Sequence, residues 1–193
     1  MAMKKIVLSV CAAVFAAVSA WAGSYVWTGG GSKTTWETLA NWSVDGETPT
    51  ALPGEEDDVT IPVGASEGTA VTMSLSTART IHSLTVSGGA GTLTFTVSQP
   101  LTIASGGLTI PAGAKFAMDQ PCSVTGNVVV AAGGTLTHSG SAGVSAGEKY
   151  KLFLTVEGSF TVAAGGKVDA QGLGFNSGGP GTGSLVAGHG GRN

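Results

Sequence analysis

Val128-Val129-Val130-Ala131-Ala132-Gly133-Gly134-Thr135-Leu136 decides the fold, because the chain keeps restating it. The same phrase returns as Val59-Thr60-Ile61-Pro62-Val63-Gly64-Ala65 and as Leu108-Thr109-Ile110-Pro111-Ala112-Gly113-Ala114-Lys115-Phe116. A further copy is Phe160-Thr161-Val162-Ala163-Ala164-Gly165-Gly166-Lys167-Val168, and Leu84-Thr85-Val86-Ser87-Gly88-Gly89 is a looser one. Each reads as a short strand rich in β-branched residues, a corner that glycine permits, and the start of a second strand. The central Ile or Val falls at 61, 86, 110, 130 and 162, giving intervals of 25, 24, 20 and 32 residues. Uneven recurrence near two dozen residues suits an array in which each winding of the chain forms one rung.

Between the copies, Thr92-Leu93-Thr94-Phe95-Thr96-Val97 alternates Thr with apolar residues, the period-two pattern of a strand with one face inward. Leu101-Thr102-Ile103 and Thr135-Leu136-Thr137 do the same, and Pro100, Pro111 and Pro121 mark strand edges or corners. An antiparallel sandwich would show two-residue hairpin signals. Only Asp45-Gly46 fits one, and it lies outside the repeats. Stacked rungs are therefore the expectation for residues 61–170, with Ile61, Ile110, Val130 and Val162 sharing one interior.

The first 22 residues belong to export. Lys4 and Lys5 precede an uncharged, largely apolar stretch from Ile6 to Ala20, and Ala20-Trp21-Ala22 is a small-x-small cleavage site. The stretch is shorter than the ~20 apolar residues of a membrane span. Cys11 lies before most of it, which excludes a lipoprotein anchor. The expected mature chain begins at Gly23 with 7 basic and 12 acidic residues, a net charge of −5. Its basic residues are scattered, which argues against nucleic acid. Cys122 is then the one remaining cysteine, so no intramolecular disulfide forms, and its apolar-alternating context points to a buried thiol.

Residues 23–60 differ from the repeats. Tyr25-Val26-Trp27-Thr28-Gly29-Gly30-Gly31 is a strand entering a glycine turn; Trp36, Asn41-Trp42-Ser43 and Pro53-Gly54 follow, and Thr35 to Leu39 has room for one helical turn. Trp27-Thr28-Gly29-Gly30, then Trp36, Asn41-Trp42, Pro53-Gly54, Asp58, Val59 and Ile61 resemble the start of large secreted bacterial β-helix proteins. These are the autotransporter-like, pectin-lyase-like surface proteins with a Trp…Asn-Trp segment. The resemblance extends to about Ala170 in style only. It implies a right-handed, single-stranded parallel β-helix with an N-terminal cap; it implies no activity, since members include adhesins, passenger domains and polysaccharide-active enzymes. The tail, 171–193, is glycine-rich without apolar partners, so it is expected to lack packing, and the helix reads as short and truncated.

Catalysis needs clustered acids, bases or nucleophiles. His82, His138 and His189 are far apart without metal-ligand spacing, and no Gly-x-Ser-x-Gly elbow occurs. Glu55-Glu56-Asp57-Asp58 is the densest acidic cluster, but adjacent side chains in extended chain point apart, so it reads as a solvated turn, with Asp58 orienting the first strand. No catalytic residue, cofactor or metal is assigned. Were a lyase site present, it would have to be sought among the scattered charges Lys115, Asp119 and Asp169. Trp27, Trp36 and Trp42 are candidate carbohydrate contacts, weighed against plugging the open end of the array. The functional expectation is the N-terminal part of a secreted or outer-surface bacterial protein with a structural or adhesive role. Its expected partners are surface polysaccharide or other β-helix segments, with no membrane span after cleavage. The alternatives are the non-catalytic N-terminal part of a polysaccharide lyase or glycosidase, and a carbohydrate-binding module using the tryptophans.

Overall fold

A computed structural model describes residues 22–63, 70–88, 91–95, 99–140 and 151–174. The expected leader, up to its cleavage site, and most of the glycine-rich tail lie outside these residues. Among them the fold is all-β. In chain order the strands are β1 (Ser24–Trp27), β2 (Trp42–Ser43), β3 (Asp58–Val63), β4 (Ala70–Met73), β5 (Arg79–Gly88), β6 (Thr92–Phe95) and β7 (Leu101–Ile110). Then follow β8 (Lys115–Met118), β9 (Cys122–Val124), β10 (Val128–Val130), β11 (Thr135–Thr137), β12 (Leu154–Val156), β13 (Phe160–Val162) and β14 (Lys167–Val168). The expected helical turn is displaced: Thr35 makes a parallel bridge to Ser74, and a single 3-10 turn sits at Leu39–Asn41. Trp36 N–H donates to the Ser74 carbonyl at 3.0 Å rather than opening a helical turn.

Apart from β2, which runs antiparallel to β1, all the strand pairs are parallel. The pairings form three columns. The first stacks the opening halves of β5 and β7 with β9 and β12. The second stacks β1, β3, the closing halves of β5 and β7, β10 and β13. The third, a separate sheet, runs β4-β6-β8-β11-β14. The chain visits first, second and third column in the same order each time, so residues far apart in sequence become neighbours in register.

The recurring phrase covers one strand of the second column, the corner, and one strand of the third. Ile61 pairs with Val86, and Val130 with both Ile110 and Val162. Ile61, Val86, Ile110 and Val130 are fully buried, as their alternation with Thr requires. Val162 departs from the expectation: it is stacked on Val130 but is 41% exposed. No described strand pairs with the far side of β13, so the interior is uncovered there, and Phe160 and Val168 are exposed for the same reason.

The corners explain the glycines. Gly113, Gly133 and Gly165 occupy the same place in successive copies, with φ of +79°, +81° and +87°. That left-handed conformation is costly for a residue with a Cβ. The corners stack as well: Gly113 N–H donates to Gly133 O at 3.1 Å, and Gly133 N–H to Gly165 O at 3.0 Å. Gly107 serves a different purpose, at the bend inside β7. Its φ is +78°, and a Cβ there would lie 2.2 Å from the Asn127 carbonyl oxygen of the next winding.

The segment before β3 supplies the last two strands at one end of the larger sheet. β1 lies beside β3, pairing Tyr25 with Val59 and Val26 with Thr60, and β2 covers the other edge of β1. Trp42 packs edge-on against Trp27 and Trp36, with ring centroids 5.0 and 4.6 Å apart, and its indole N–H donates to the Trp36 carbonyl at 2.8 Å. Asn41, fully buried, accepts from Gly31 N–H and Lys33 N–H and donates to the Thr35 carbonyl, so one side chain shapes the whole glycine loop.

Candidate functional site

Trp27, Trp36 and Trp42 are 4%, 0% and 1% exposed. Ring faces buried to this degree are not open to a sugar, so the proposed carbohydrate contacts at these three positions are corrected. The rings cover large apolar area at the end of the stack instead.

The acidic run divides by function. Glu55 and Glu56 are exposed in a turn. Asp57 folds back, taking Gly23 N–H on Oδ1 at 2.7 Å and Gly54 N–H on Oδ2 at 2.8 Å. Asp58 points outward at the start of β3, where Oδ1 receives the Ser83 hydroxyl and contacts His82 Nδ1 at 2.8 Å. The Ser83 bond, then the His82 bond and charge, hold the Asp58 carboxyl below its ordinary range against a smaller opposing desolvation. A serine, a histidine and an aspartate thus meet, but not as a nucleophilic relay. Both hydrogen bonds end on the carboxylate, so the hydroxyl proton is directed away from the imidazole that would have to take it.

One other reactive group, Cys122, is inert by position. Burial pushes the Cys122 thiol up to about 12, which keeps it protonated and un-nucleophilic. Beside it a partly open hollow of about 10 Å³, lined by Leu101, Phe116, Met118, Pro121 and Cys122, is too small for a ligand. His189 lies outside the described residues, and among those described no group of three or more His, Cys, Asp or Glu is placed to hold a metal ion.

The outer face of the third column carries a groove of about 340 Å³. Its floor consists of two ranks of outward side chains set by the register. Thr92, Lys115 and Thr135 form one rank, which Lys167 continues outside the groove, while Thr94, Ala117 and Thr137 form the other. Small Ala117 lowers the floor between two threonines. His138, Ser139, Asp169, Gln171 and Leu173 rise along the side. Thr137 Oγ1 donates to the Asp169 carbonyl at 2.6 Å, and Asp169 Oδ1 accepts Gln171 N–H at 2.9 Å, which fixes that wall to the floor. Behind it, Asp119 is 4% exposed; its Oδ1 accepts Ser139 N–H at 2.7 Å, while Oδ2 is buried without a hydrogen-bond partner among the described residues.

Of the three charges singled out in sequence, Lys115 and Asp169 line this groove, and Asp119 supports its wall through Ser139. The threonines of the floor were legible as outward strand residues but not as a site. Only the register, which sets β6, β8, β11 and β14 side by side, brings them together. No family model, no curated protein and no solved structure matches the chain.

Proposed function

We propose that this chain forms a right-handed parallel β-helix, the N-terminal part of a secreted or cell-surface bacterial protein whose role is structural or adhesive. The observation that carries this reading is the three-column parallel register. Each winding advances the stack by ~4.8 Å with hydrogen bonds running along its length, which makes a stiff shaft whose outward side chains are available for contact. The tryptophan segment acts as the cap of that shaft. It buries apolar surface that would otherwise face water at the stack's end. Enzymatic chemistry is not part of the proposal: the Ser83, His82 and Asp58 group is wired against a relay, and Cys122 is locked as a thiol.

The test is to express the chain from Met1 in a bacterium with an outer membrane, then to fractionate the cells. The expected product begins at Gly23, lies outside the inner membrane, and has a protease-resistant core that includes residues 24–170. An unprocessed chain in the cytoplasm would overturn the export reading. Measurable turnover of a uronate polymer by the purified protein would overturn the structural one.

A further inference from the structure

We propose that the end of the stack formed by β12, β13 and β14 is a docking surface for a second copy of this chain. Hydrogen-bond parity shows what it offers. On β13, the Ser159 carbonyl and the Ala163 N–H bond to β10, so the N–H and C=O groups of Phe160 and Val162 face away from it. On β12, the Phe153 carbonyl and the Glu157 N–H bond to β9, which turns the backbone groups of Leu154 and Val156 the same way. On β14, Lys167 N–H and Asp169 N–H bond to β11, which leaves those of Val168. None of these groups meets another described strand. The side chains of the same five residues point inward, yet Phe160, Val162 and Val168 are 44%, 41% and 47% exposed. Three free strand edges around an uncovered apolar interior are a template for pairing with another chain.

The geometry selects a second copy in one arrangement. A two-fold axis through the centre of β13, normal to the second column, lays β13 antiparallel on its twin and exchanges the other two columns. β12 of one copy then runs antiparallel to β14 of the other. All three edges are paired at once, and the contact closes after two copies. Charge agrees with this register. Glu157 directly follows β12, Lys167 opens β14, and both are exposed. Antiparallel pairing sets Glu157 of one copy beside Lys167 of the other, twice by symmetry. The opposite end of the stack does not match. Its outermost strand, β2, is two residues long and extends the second column alone, so head-to-tail stacking would leave β12 and β14 unpaired.

The register also fixes who meets whom at the axis. Phe160 of one copy pairs with Val162 of the other, which uses the free backbone groups of both and covers their side chains. Thr161, exposed on the outer face, then lies opposite its own twin. Such a non-hydrogen-bonded pair holds its Cα atoms about 4.5 Å apart, within the reach of a disulfide.

The experiment is sedimentation of the purified mature chain across the micromolar range, with circular dichroism to check that each variant keeps its fold. A dimer is expected. Val162→Lys, at a position exposed in the single chain, should raise the dissociation constant roughly tenfold or more, because docking would bury an unpaired charge. Thr161→Cys should give a cross-linked dimer on mild oxidation that reduction dissolves, whereas the wild type, with Cys122 buried, should not. Glu157→Lys should weaken the dimer, and adding Lys167→Glu should restore it, a recovery that non-specific apolar contact does not produce. A monomeric wild type would mean that the chain itself covers this end, and would overturn the proposal. So would polymers without a fixed size, an unchanged dimer in Val162→Lys, no cross-link in Thr161→Cys, or a double variant no tighter than Glu157→Lys alone. None of these readouts depends on export or adhesion, so failure here is separable from failure of the surface role.

Discussion

Trp42 lies at the centre of the aromatic cluster beside β1, and its removal gives a quantitative test of the packing there. It is buried to 1%, touches Tyr25, Trp27 and Trp36 edge-on, and donates its indole N–H to the Trp36 carbonyl. Burying about 200 Å² of indole at ~25 cal/mol per Å² gives about 5 kcal/mol as an upper figure. Core tryptophan-to-alanine changes lose about 3–5 kcal/mol, so Trp42→Ala should fall in that range. Trp42→Phe keeps an aromatic edge against its neighbours but removes the donor, which should cost about 1–3 kcal/mol. Urea unfolding followed by circular dichroism near 218 nm reads both without depending on the fluorescence being altered. With a slope of about 2 kcal/mol per molar urea, the alanine variant should shift the midpoint by about 2 M. A loss below about 1 kcal/mol for alanine, or equal losses for alanine and phenylalanine, would refute the cap as a packed, hydrogen-bonded unit.

Three further outcomes follow from the same geometry. Val130→Asp should cost several kcal/mol, since an unpaired charge enters a dry interior, whereas Val162→Asp, one winding on and 41% exposed, should cost far less; equal losses in thermal unfolding would contradict the difference in burial. Asp58 has a folded pKa below the ordinary carboxylate value, so its stabilisation is present above about pH 4 and disappears as pH falls through the lower folded value. With a side chain 53% exposed, Asp58→Asn should cost under about 1 kcal/mol at pH 7 and less as the pH falls below the ordinary carboxylate range, read as converging unfolding midpoints. Cys122, with its thiol pushed up to about 12, should resist a disulfide reagent in native protein and react at once in urea; fast native labelling would show that the site opens.

What the sequence discloses here follows from which contacts are local. Val130 is legible as core because Val128, Val130 and Leu136 alternate with outward residues over nine positions, and the corner at Gly133 is legible because a left-handed turn admits few other residues. The first column is harder to read. Arg79 to Ile81, Leu101 to Ile103 and Cys122 to Val124 share no glycine corner, and β5 and β7 run through the bend into the second column without a break. Val162 shows the limit of the pattern itself. Period-two alternation names the residue that points inward, but burial also needs a neighbouring winding on each side, and that is a property of the stack rather than of the strand. The groove lies beyond the pattern for a related reason. Lys115 and Asp169 are 54 positions apart, and nothing in either local context links them. Their approach depends on the two windings between them, β9 to β11 and β12 to β14, each returning the chain to the third column in register. A solvent-facing site of this kind is written across windings. It becomes readable only once the columns are known, because hydrogen-bond register, not sequence spacing, decides which outward side chains share a surface.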